Sequence, residues 1–220
     1  MTEIRALVVD YGGVLTVPIR AAFETWLETE QVAPEAFVEL LKEWRGVADN
    51  PMHRLETGSI TDDDFAAELV TRLRRIDGGP VPPAGLVARM FHGLELDRDA
   101  LVMLRAARSA GLRTALLSNS WGVGMEYPWA DLGPLLDVRV VSGDVRLRKP
   151  DPAIYRMAAD ELGLPLAACA FVDDLEPNVD AARELGMLAV LHTDLPSTLA
   201  TLAASVPALA PYLTDNSDGG

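Results

Sequence analysis

The chain contains one cysteine and two lysines among its 220 residues, and both scarcities limit what it can be. A single cysteine cannot form an internal disulfide. Cys169 lies within an apolar, strand-like run, which favours a buried and unreactive thiol in a reducing cytoplasm. Because Lys42 and Lys149 are the only lysines, each is a candidate for binding an anion.

Long hydrophobic runs are also missing. The longest stretch of low polarity, Leu162 to Val172, is interrupted by Pro165 and is too short to cross a bilayer. The N-terminus lacks the basic region and apolar segment that are typical of a secretory signal. We therefore expect a soluble, cytoplasmic protein without a membrane partner, active as a monomer or homodimer.

Positive charge is scarce as well. Nineteen basic residues against thirty-three acidic ones give a formal net charge of −14. This charge repels nucleic acid phosphates at long range and argues against a nucleic acid partner. An anionic substrate would need local positive charge to offset it, which gives weight to any cation beside a candidate site.

Short continuous apolar runs recur along the chain, as in the buried strands of a parallel sheet. These runs are Ile4–Val9, Thr114–Leu117, Val138–Val141, Cys169–Val172 and Met187–Leu191. The intervening segments are helical in pattern, the first with Asp97 as its N-cap, the others over Pro152–Gly163 and Pro177–Gly186. The alternation predicts an α/β fold with a Rossmann-like, doubly wound parallel sheet.

Residues 17–96 break this alternation and predict an inserted helical subdomain. Amphipathic segments occur over Arg20–Glu30, Pro34–Arg45 and Asp62–Arg75, and Thr61 with Asp64 has the spacing of a capping box. The predicted α/β core then comprises residues 1–16 and 97–212. The polar residues 213–220 are expected to form a frayed tail.

Acidic residues follow two of the apolar runs. Asp10 ends the first, and Asp173 and Asp174 end the run that begins at Cys169. The carboxyl ends of strands in an open α/β sheet are where ligands bind, and carboxylates gathered there repel one another unless a cation lies among them. The pattern predicts a site for a Mg²⁺-like ion.

The segments around these acids resemble, in order, the four motifs of the haloacid dehalogenase-like (HAD) hydrolase superfamily. The segments are Asp10-Tyr11-Gly12-Gly13-Val14-Leu15-Thr16, Leu117-Ser118-Asn119-Ser120, Arg148-Lys149-Pro150-Asp151-Pro152 and Phe171-Val172-Asp173-Asp174-Leu175-Glu176-Pro177-Asn178. The resemblance covers essentially the whole chain, and residues 17–96 occupy the position of the family's helical cap. It implies a Mg²⁺-dependent hydrolase that acts on a small phosphorylated molecule.

The resemblance also implies roles for individual residues. Asp10 would attack phosphorus and form an aspartyl-phosphate that water later cleaves. Asp10, Asp174 and the carbonyl of Gly12 match the family's metal ligands. Lys149 would neutralise the nucleophile and a phosphoryl oxygen.

Other positions have supporting roles in the same comparison. Ser118 and Asn119 match the motif that holds a phosphoryl oxygen, and Asp173 would lie beside the metal, accepting hydrogen bonds from waters or loop amides. Asn178, near a helix start, either caps that helix or orients Lys149 and its loop. Trp121 and its aromatic neighbours Tyr127 and Trp129 either line a pocket or pack the joint between core and cap.

Further polar residues are assigned by their surroundings. Arg146 and Arg148 are expected to be solvated. The three histidines, His53, His92 and His192, lack the spacing of metal ligands and are interpreted as structural or surface residues, with the first two the better pocket candidates.

The first motif departs from the family's phosphatases, where a second aspartate protonates the leaving group and stands two residues after the first. Here that position is Gly12. General acid–base catalysis contributes about 10²–10⁴ in rate, so hydrolysis of ordinary alkyl phosphates is in question.

Three interpretations remain open. The first is a phosphatase whose acid comes from the insertion or from water, or whose substrates need none. The second is a phosphonate hydrolase that uses a cap lysine, for which Lys42 is the candidate although its helix predicts a solvated side chain. The third is a non-catalytic protein that binds a phosphorylated ligand or a partner protein. The retention of both Asp10 and Lys149 favours a hydrolase.

Overall fold

A five-stranded parallel sheet forms the centre of the computed structural model, which describes residues 2–122 and 125–213. The strands are β1 (Ala6–Val9), β2 (Arg113–Ser118), β3 (Val138–Val141), β4 (Cys169–Asp173) and β5 (Leu188–Leu191). They lie in the order β3-β2-β1-β4-β5, and every neighbouring pair is parallel. The predicted Rossmann-like fold class is confirmed.

Seven helices of the described residues belong to the part of the chain that builds the sheet. They are α6 (Val102–Ser109), α7 (Trp129–Leu132), α8 (Ser142–Val145), α9 (Pro152–Leu162), α10 (Glu176–Glu184), α11 (Leu195–Ser205) and α12 (Ala210–Leu213). Short 3₁₀ turns occupy Gly133–Leu135 and Leu166–Ala168.

Side chains of β1 alternate between two separate hydrophobic layers. Leu7 and Val9 join the layer built with α6, α11 and α12, whereas Ala6 and Val8 join the layer built with α9 and α10. All four residues are inaccessible to solvent. Burial on both faces explains why this strand appears in the sequence as a continuous apolar run instead of an alternating one.

Five helices lie between β1 and α6: α1 (Ile19–Glu30), α2 (Pro34–Trp44), α3 (Pro51–Glu56), α4 (Asp62–Arg72) and α5 (Leu86–Met90). They enclose a third hydrophobic cluster, which includes Trp26, Phe37, Leu55 and Phe65. The capping box at Thr61 and Asp64 is present, with both reciprocal hydrogen bonds formed.

The two connections of this helical insertion run side by side. Thr16 and Leu96 form an isolated antiparallel bridge, and the backbone N–H of Val17 donates to the carbonyl of Glu95 at 3.0 Å. The bridge lies where the sequence predicts the boundaries 16/17 and 96/97. The insertion therefore leaves and rejoins the α/β part at one place.

Three local predictions need correction. Asp97 does not cap α6; its Oδ1 instead accepts from the N–H groups of Asp99 and Ala100 in the turn before that helix. The first strand begins two residues later than its apolar run. Leu213, predicted to start the tail, ends α12 and is buried, while residues 214–220 of the predicted tail lie outside the described residues.

Cys169 is fully buried in β4, as predicted, and burial raises its thiol pKa to about 11. No described helix combines the length and the apolar character needed to cross a membrane.

Candidate active site

The central strand and its two neighbours bring the predicted site residues to one edge of the sheet. Asp10 directly follows β1, Ser118 is the last residue of β2, and Asp173 is the last residue of β4. Since all three strands are parallel and in register, their carboxyl ends meet at that edge. The sheet order therefore explains how residues more than 160 positions apart come into contact.

Three carboxylates and one ammonium group form the centre of this site. Asp10, Asp173 and Asp174 each offer an oxygen within 4.8 Å of the others. The Nζ of Lys149 lies 2.7 Å from Oδ1 of Asp10 and 2.7 Å from Oδ2 of Asp173. Lys149 is 1% exposed and Asp173 is fully buried, so these charges interact away from solvent. The cluster retains more negative than positive charge.

Burial, together with the neighbouring negative charges, raises the pKa values of two of these acids. Burial raises the pKa of Asp10 to about 8, against the opposing attraction of Lys149. Burial and then the charge of Asp173 raise the pKa of Asp174 to about 6. Burial acts to lower the pKa of Lys149, but Asp10 and Asp173 outweigh it and raise that pKa. A further cation would relieve the excess negative charge.

Two features around Asp174 fit such a cation. Its Oδ1 is buried and has no hydrogen-bond partner among residues 2–122 and 125–213, which is costly for a carboxylate oxygen unless something else contacts it. Gly13 has a φ of +76°, and a Cβ there would lie 2.3 Å from Asp174 Oδ2. The missing side chain at Gly13 thus lets the Asp174 carboxylate lie close against the backbone, while its Oδ1 remains without a partner among the described residues. Oxygen donors of this kind suit Mg²⁺.

Asp173 is held in place by three donors. Its Oδ1 accepts from the backbone N–H of Leu175 at 2.8 Å, and the Nδ2 of Asn178 lies 3.0 and 3.2 Å from its two oxygens. The third donor is Lys149. The side chain of Asn178 contacts Asp173, which also contacts Lys149, and it forms no capping hydrogen bond to α10.

Asn119 fixes the backbone of Lys149. Its Oδ1 accepts from the Lys149 N–H at 2.8 Å, and its Nδ2 donates to the Lys149 carbonyl at 3.1 Å. One N–H of the Asn119 amide is left for a phosphoryl oxygen, so its geometry favours positioning Lys149 over a large contribution to substrate binding.

Tyr127 is a partner of Ser118 that the sequence pattern did not identify. Its hydroxyl donates to Ser118 Oγ at 3.1 Å, and the centroid of its ring lies 4.8 Å from that of Tyr11, the residue after Asp10. Tyr127 is buried in the hydrophobic layer that includes Leu7 and Val9, and it also lines a small cavity, so both roles left open for it remain possible. Its position nine residues after Ser118, in a loop, has no periodicity that could have indicated the contact.

The expectation that Arg148 is solvated is wrong. Its Nε donates to Oε2 of Glu56, in the insertion, at 2.5 Å, and its side chain is 24% exposed. Arg146 is exposed, as expected. The sequence could not show this ion pair, because it joins residues 92 positions apart.

Several remaining candidates contribute no side chain to the acid cluster, although the backbone N–H of His192 donates to the Asp173 carbonyl at 2.8 Å. Lys42 is exposed on α2. His92 is exposed, burial and then Arg148 lower the pKa of His53, and Nδ1 of His192 lies 2.9 Å from Oγ1 of Thr198. None of the three histidines belongs to the group of possible metal ligands found among the described residues.

The chain is similar to known proteins over most of its length. A family model described as a haloacid dehalogenase-like hydrolase matches residues 4–186. The chain is 28% identical to bifunctional epoxide hydrolase 2 of Sus scrofa over 97% of its own length, but it spans only 42% of that relative. It is 30% identical to enolase-phosphatase E1 of Parvibaculum lavamentivorans, with 86% of each chain covered.

A solved structure has the same fold. It is a HAD family enzyme of Bacteroides thetaiotaomicron in complex with magnesium and inorganic phosphate, with a TM-score of 0.62, 22% identity and coverage of 86% of this chain and 93% of that one. The four motifs, the parallel sheet and the family match agree, and the chain belongs to the haloacid dehalogenase-like hydrolase family.

Proposed function

We propose that the chain is a Mg²⁺-dependent phosphohydrolase in which Asp10 accepts a phosphoryl group from a small phosphorylated metabolite. The observation that carries the proposal is the position of Lys149. Its Nζ lies 2.7 Å from Oδ1 of Asp10 and 2.7 Å from Oδ2 of Asp173. The next residue, Asp174, has the carboxylate oxygen that lacks a hydrogen-bond partner among the described residues. A cation facing the buried carboxylate at the end of a strand is suited to a phosphoryl group that must approach a negatively charged nucleophile. The relative named enolase-phosphatase supports this chemistry.

The reaction proceeds in two displacements. A carboxylate oxygen of Asp10 attacks phosphorus, and the bond to the leaving oxygen breaks, with its electron pair departing on the alkoxide or phenolate. Water then attacks phosphorus, the bond to Asp10 breaks, and inorganic phosphate leaves with the carboxylate restored. Lys149 stabilises the charge on Asp10 and on a phosphoryl oxygen, and Ser118 donates its hydroxyl to a second oxygen.

Mg²⁺ would be held by Asp10, Asp174 and the carbonyl of Gly12, and would neutralise phosphoryl charge when bound. Asp173 and Asn178 keep Lys149 aimed at the nucleophile. The helical insertion, residues 17–96, acts as a cap that covers this edge of the sheet and excludes water from the first displacement.

Beryllofluoride, a mimic of the phosphorylated carboxylate, tests the nucleophile. With Mg²⁺ present it should raise the melting temperature of the wild type by several degrees beyond Mg²⁺ alone, because it binds only the folded state. In Asp10→Asn, Mg²⁺ alone can still raise the melting temperature, by the same amount or less. Beryllofluoride should cause no further increase in this variant. An equal shift in both proteins would exclude Asp10 as the acceptor and would favour a binding protein that retains the fold.

Turnover is the second arm of this test. Phosphate esters, acyl phosphates and phosphonates should be screened with Mg²⁺ and with a chelator. Phosphate release that requires both Mg²⁺ and Asp10 is the expected result. Activity on phosphonates that depends on Lys42 would establish the alternative chemistry instead.

A further inference from the structure

A cavity of about 350 Å³ lies between residues of the α/β part and residues of the helical insertion, and Tyr11, the neighbour of Asp10 in the chain, lines it. Tyr11, which directly follows Asp10, lines it from the sheet side, and Phe91, just after α5, lines it from the insertion. Its volume is at the small end of the range for ligand pockets. The cavity is thus placed and sized to take the part of a substrate that remains when phosphate is removed.

One wall of this cavity is aromatic. The rings of Phe91 and Trp121 are stacked, with centroids 4.3 Å apart and planes inclined by 18°. Both side chains are half-buried, so each ring keeps a surface that a ligand can cover. Val87 and Leu94 continue the apolar lining. A flat, apolar group suits such a wall better than a sugar or a flexible polar chain.

The charged residues among the described lining are both acidic. They are Asp62, at the start of α4, and Glu126, and no lysine or arginine of residues 2–122 and 125–213 lines the cavity. No hydrogen bond or ion pair neutralises the Asp62 carboxylate among the described residues, and burial followed by the charge of Asp63 raises its pKa. A negatively charged group in the cavity would be repelled, since the cavity supplies no compensating cation.

The position of Asp62 is also constrained. Gly122 has a φ of +102°, and a Cβ there would lie 2.1 Å from Asp62 Oδ1. The carboxylate therefore sits against the loop that follows Ser118, fixed between the insertion and the sheet. It is part of the cavity wall and not a freely solvated surface acid.

Resting on the function proposed above, we propose that this cavity binds the leaving group and selects aryl phosphomonoesters whose ring is neutral or positively charged. Phe91 and Trp121 stack on the ring, and Asp62 and Glu126 exclude substrates with a second negative group. Gly12 is consistent with this choice, because a phenolate is a weakly basic leaving group that departs without a proton donor.

Three phenyl phosphates test the charge preference. Their para substituents are methyl, aminomethyl and carboxymethyl, so that the charge lies beyond a methylene and changes the acidity of the phenol little. kcat/KM should be highest for the aminomethyl compound, lower for the methyl compound and lowest for the carboxymethyl compound. The value for the carboxymethyl compound should be about tenfold below that for the methyl compound, the scale of one unfavourable charge interaction in a partly buried site. Equal values for all three would overturn the inference while leaving the phosphohydrolase proposal intact.

Two variants locate the origin of the preference. Asp62→Asn should raise the ratio of carboxymethyl to methyl turnover by roughly three- to tenfold, if one of two repelling charges is removed. Asp63→Asn is the matched control, because it removes a neighbouring charge in the same first turn that does not line the cavity. Equal effects of the two variants would show a general surface field and would overturn the assignment of Asp62.

The aromatic wall is tested separately with acetyl phosphate, whose small leaving group does not need it. Trp121→Leu should lower the ratio of methylphenyl phosphate to acetyl phosphate turnover by about tenfold, the scale of a lost aromatic contact with its burial. An unchanged ratio would remove Trp121 from the substrate site. If neither class of substrate is hydrolysed and beryllofluoride produces no shift, the proposed function fails and this inference fails with it.

Discussion

Glu56 accepts a hydrogen bond from Arg148 at 2.5 Å, and this ion pair joins the helical insertion to the residue just before Lys149. The Glu56 side chain is 7% exposed. The backbone carbonyl of Glu56 also accepts from the hydroxyl of Ser142, at the start of α8. The insertion is therefore held to the residue before Lys149 by a pair of charges and to α8 by a neutral hydrogen bond.

Breaking this pair should destabilise the protein measurably. Glu56→Gln leaves the guanidinium of Arg148 without its counterion in a partly buried place, and we expect a loss of about 1–3 kcal/mol, less than for a fully buried pair. Thermal unfolding measures it. Glu24→Gln is the control, because the Arg20–Glu24 pair is exposed and should contribute little. Equal melting temperatures for both variants would show that the Glu56 contact adds no stability.

Gly13→Ala should abolish Mg²⁺ binding. The new methyl group would collide with Asp174, and the left-handed φ of +76° would add backbone strain. Gly111→Ala separates the two effects, because Gly111 has the same φ and no atom within 4 Å of the added Cβ. Both variants should lose stability, but only the first should lose Mg²⁺ affinity in calorimetry. Retained affinity in Gly13→Ala would mean that the ion does not bind beside Asp174.

Mg²⁺ affinity should rise with pH between about 6 and about 8. In the metal-free protein burial raises the pKa of Asp174 to about 6 and that of Asp10 to about 8, so both acids keep protons that exposed carboxyls would already have lost. A protonated carboxyl does not ligate, and Mg²⁺ must displace its proton. Calorimetry in buffers of different ionisation enthalpy should detect proton release, largest at the acid end. Affinity that is independent of pH would contradict the ligand assignment.

The raised pKa of Asp10 also determines how the stability of the metal-free protein changes with pH. The folded protein holds a proton on Asp10 that the unfolded chain, with a pKa near 3.8, releases. Stability contributed by this group is therefore present below about pH 4 and is lost as the pH rises toward 8. In Asp10→Asn, the melting temperature should therefore depend less on pH between about 4 and about 8.

Gly12→Asp should help alkyl phosphates more than aryl phosphates. Alkoxides need a proton to depart, and a well-placed carboxyl could raise their kcat/KM by up to about 10²-fold. The backbone permits the change, because the φ of Gly12 lies outside the left-handed region and the closest obstacle is the Cδ1 tip of Ile19 at 2.9 Å. The ratio of alkyl to aryl kcat/KM is the measurement. A wild type that already hydrolyses both equally must have its acid elsewhere, with Glu56, His53 and His92 the first to mutate.

The site residues that lie at the ends of buried strands could be predicted from the sequence. Asp10 and Asp173 end buried strands, and the order of strand-like runs and helical patterns was enough to bring those ends together. The run that begins at Ile4 starts two residues before β1, although the backbone of Arg5 already forms hydrogen bonds with Ala168 and Arg113. The four motifs added Lys149, which no periodicity would have identified.

Residues whose roles depend on long-range contacts were not predictable. The contact of Tyr127 with Ser118 joins a loop to a strand end, and the pair of Arg148 with Glu56 joins two separate layers of the molecule. In both cases the partner is selected by packing of the completed fold. The sequence therefore predicts the residues at the centre of the site but not the contacts that surround them.

Hydrogen exchange should reveal a hierarchy that follows from the place of β1 in the sheet. Ala6–Val9 pair with a strand on each side and lie beneath helices on both faces, so their amides should exchange only when the whole domain unfolds. Asp10 follows this segment directly, whereas part of the cavity wall belongs to the insertion, which has a hydrophobic cluster of its own and is expected to open at a lower free energy. As the temperature rises, we therefore expect the cavity walls to open before Asp10 loses its position. Discrimination between substrates should then be lost at a lower temperature than turnover.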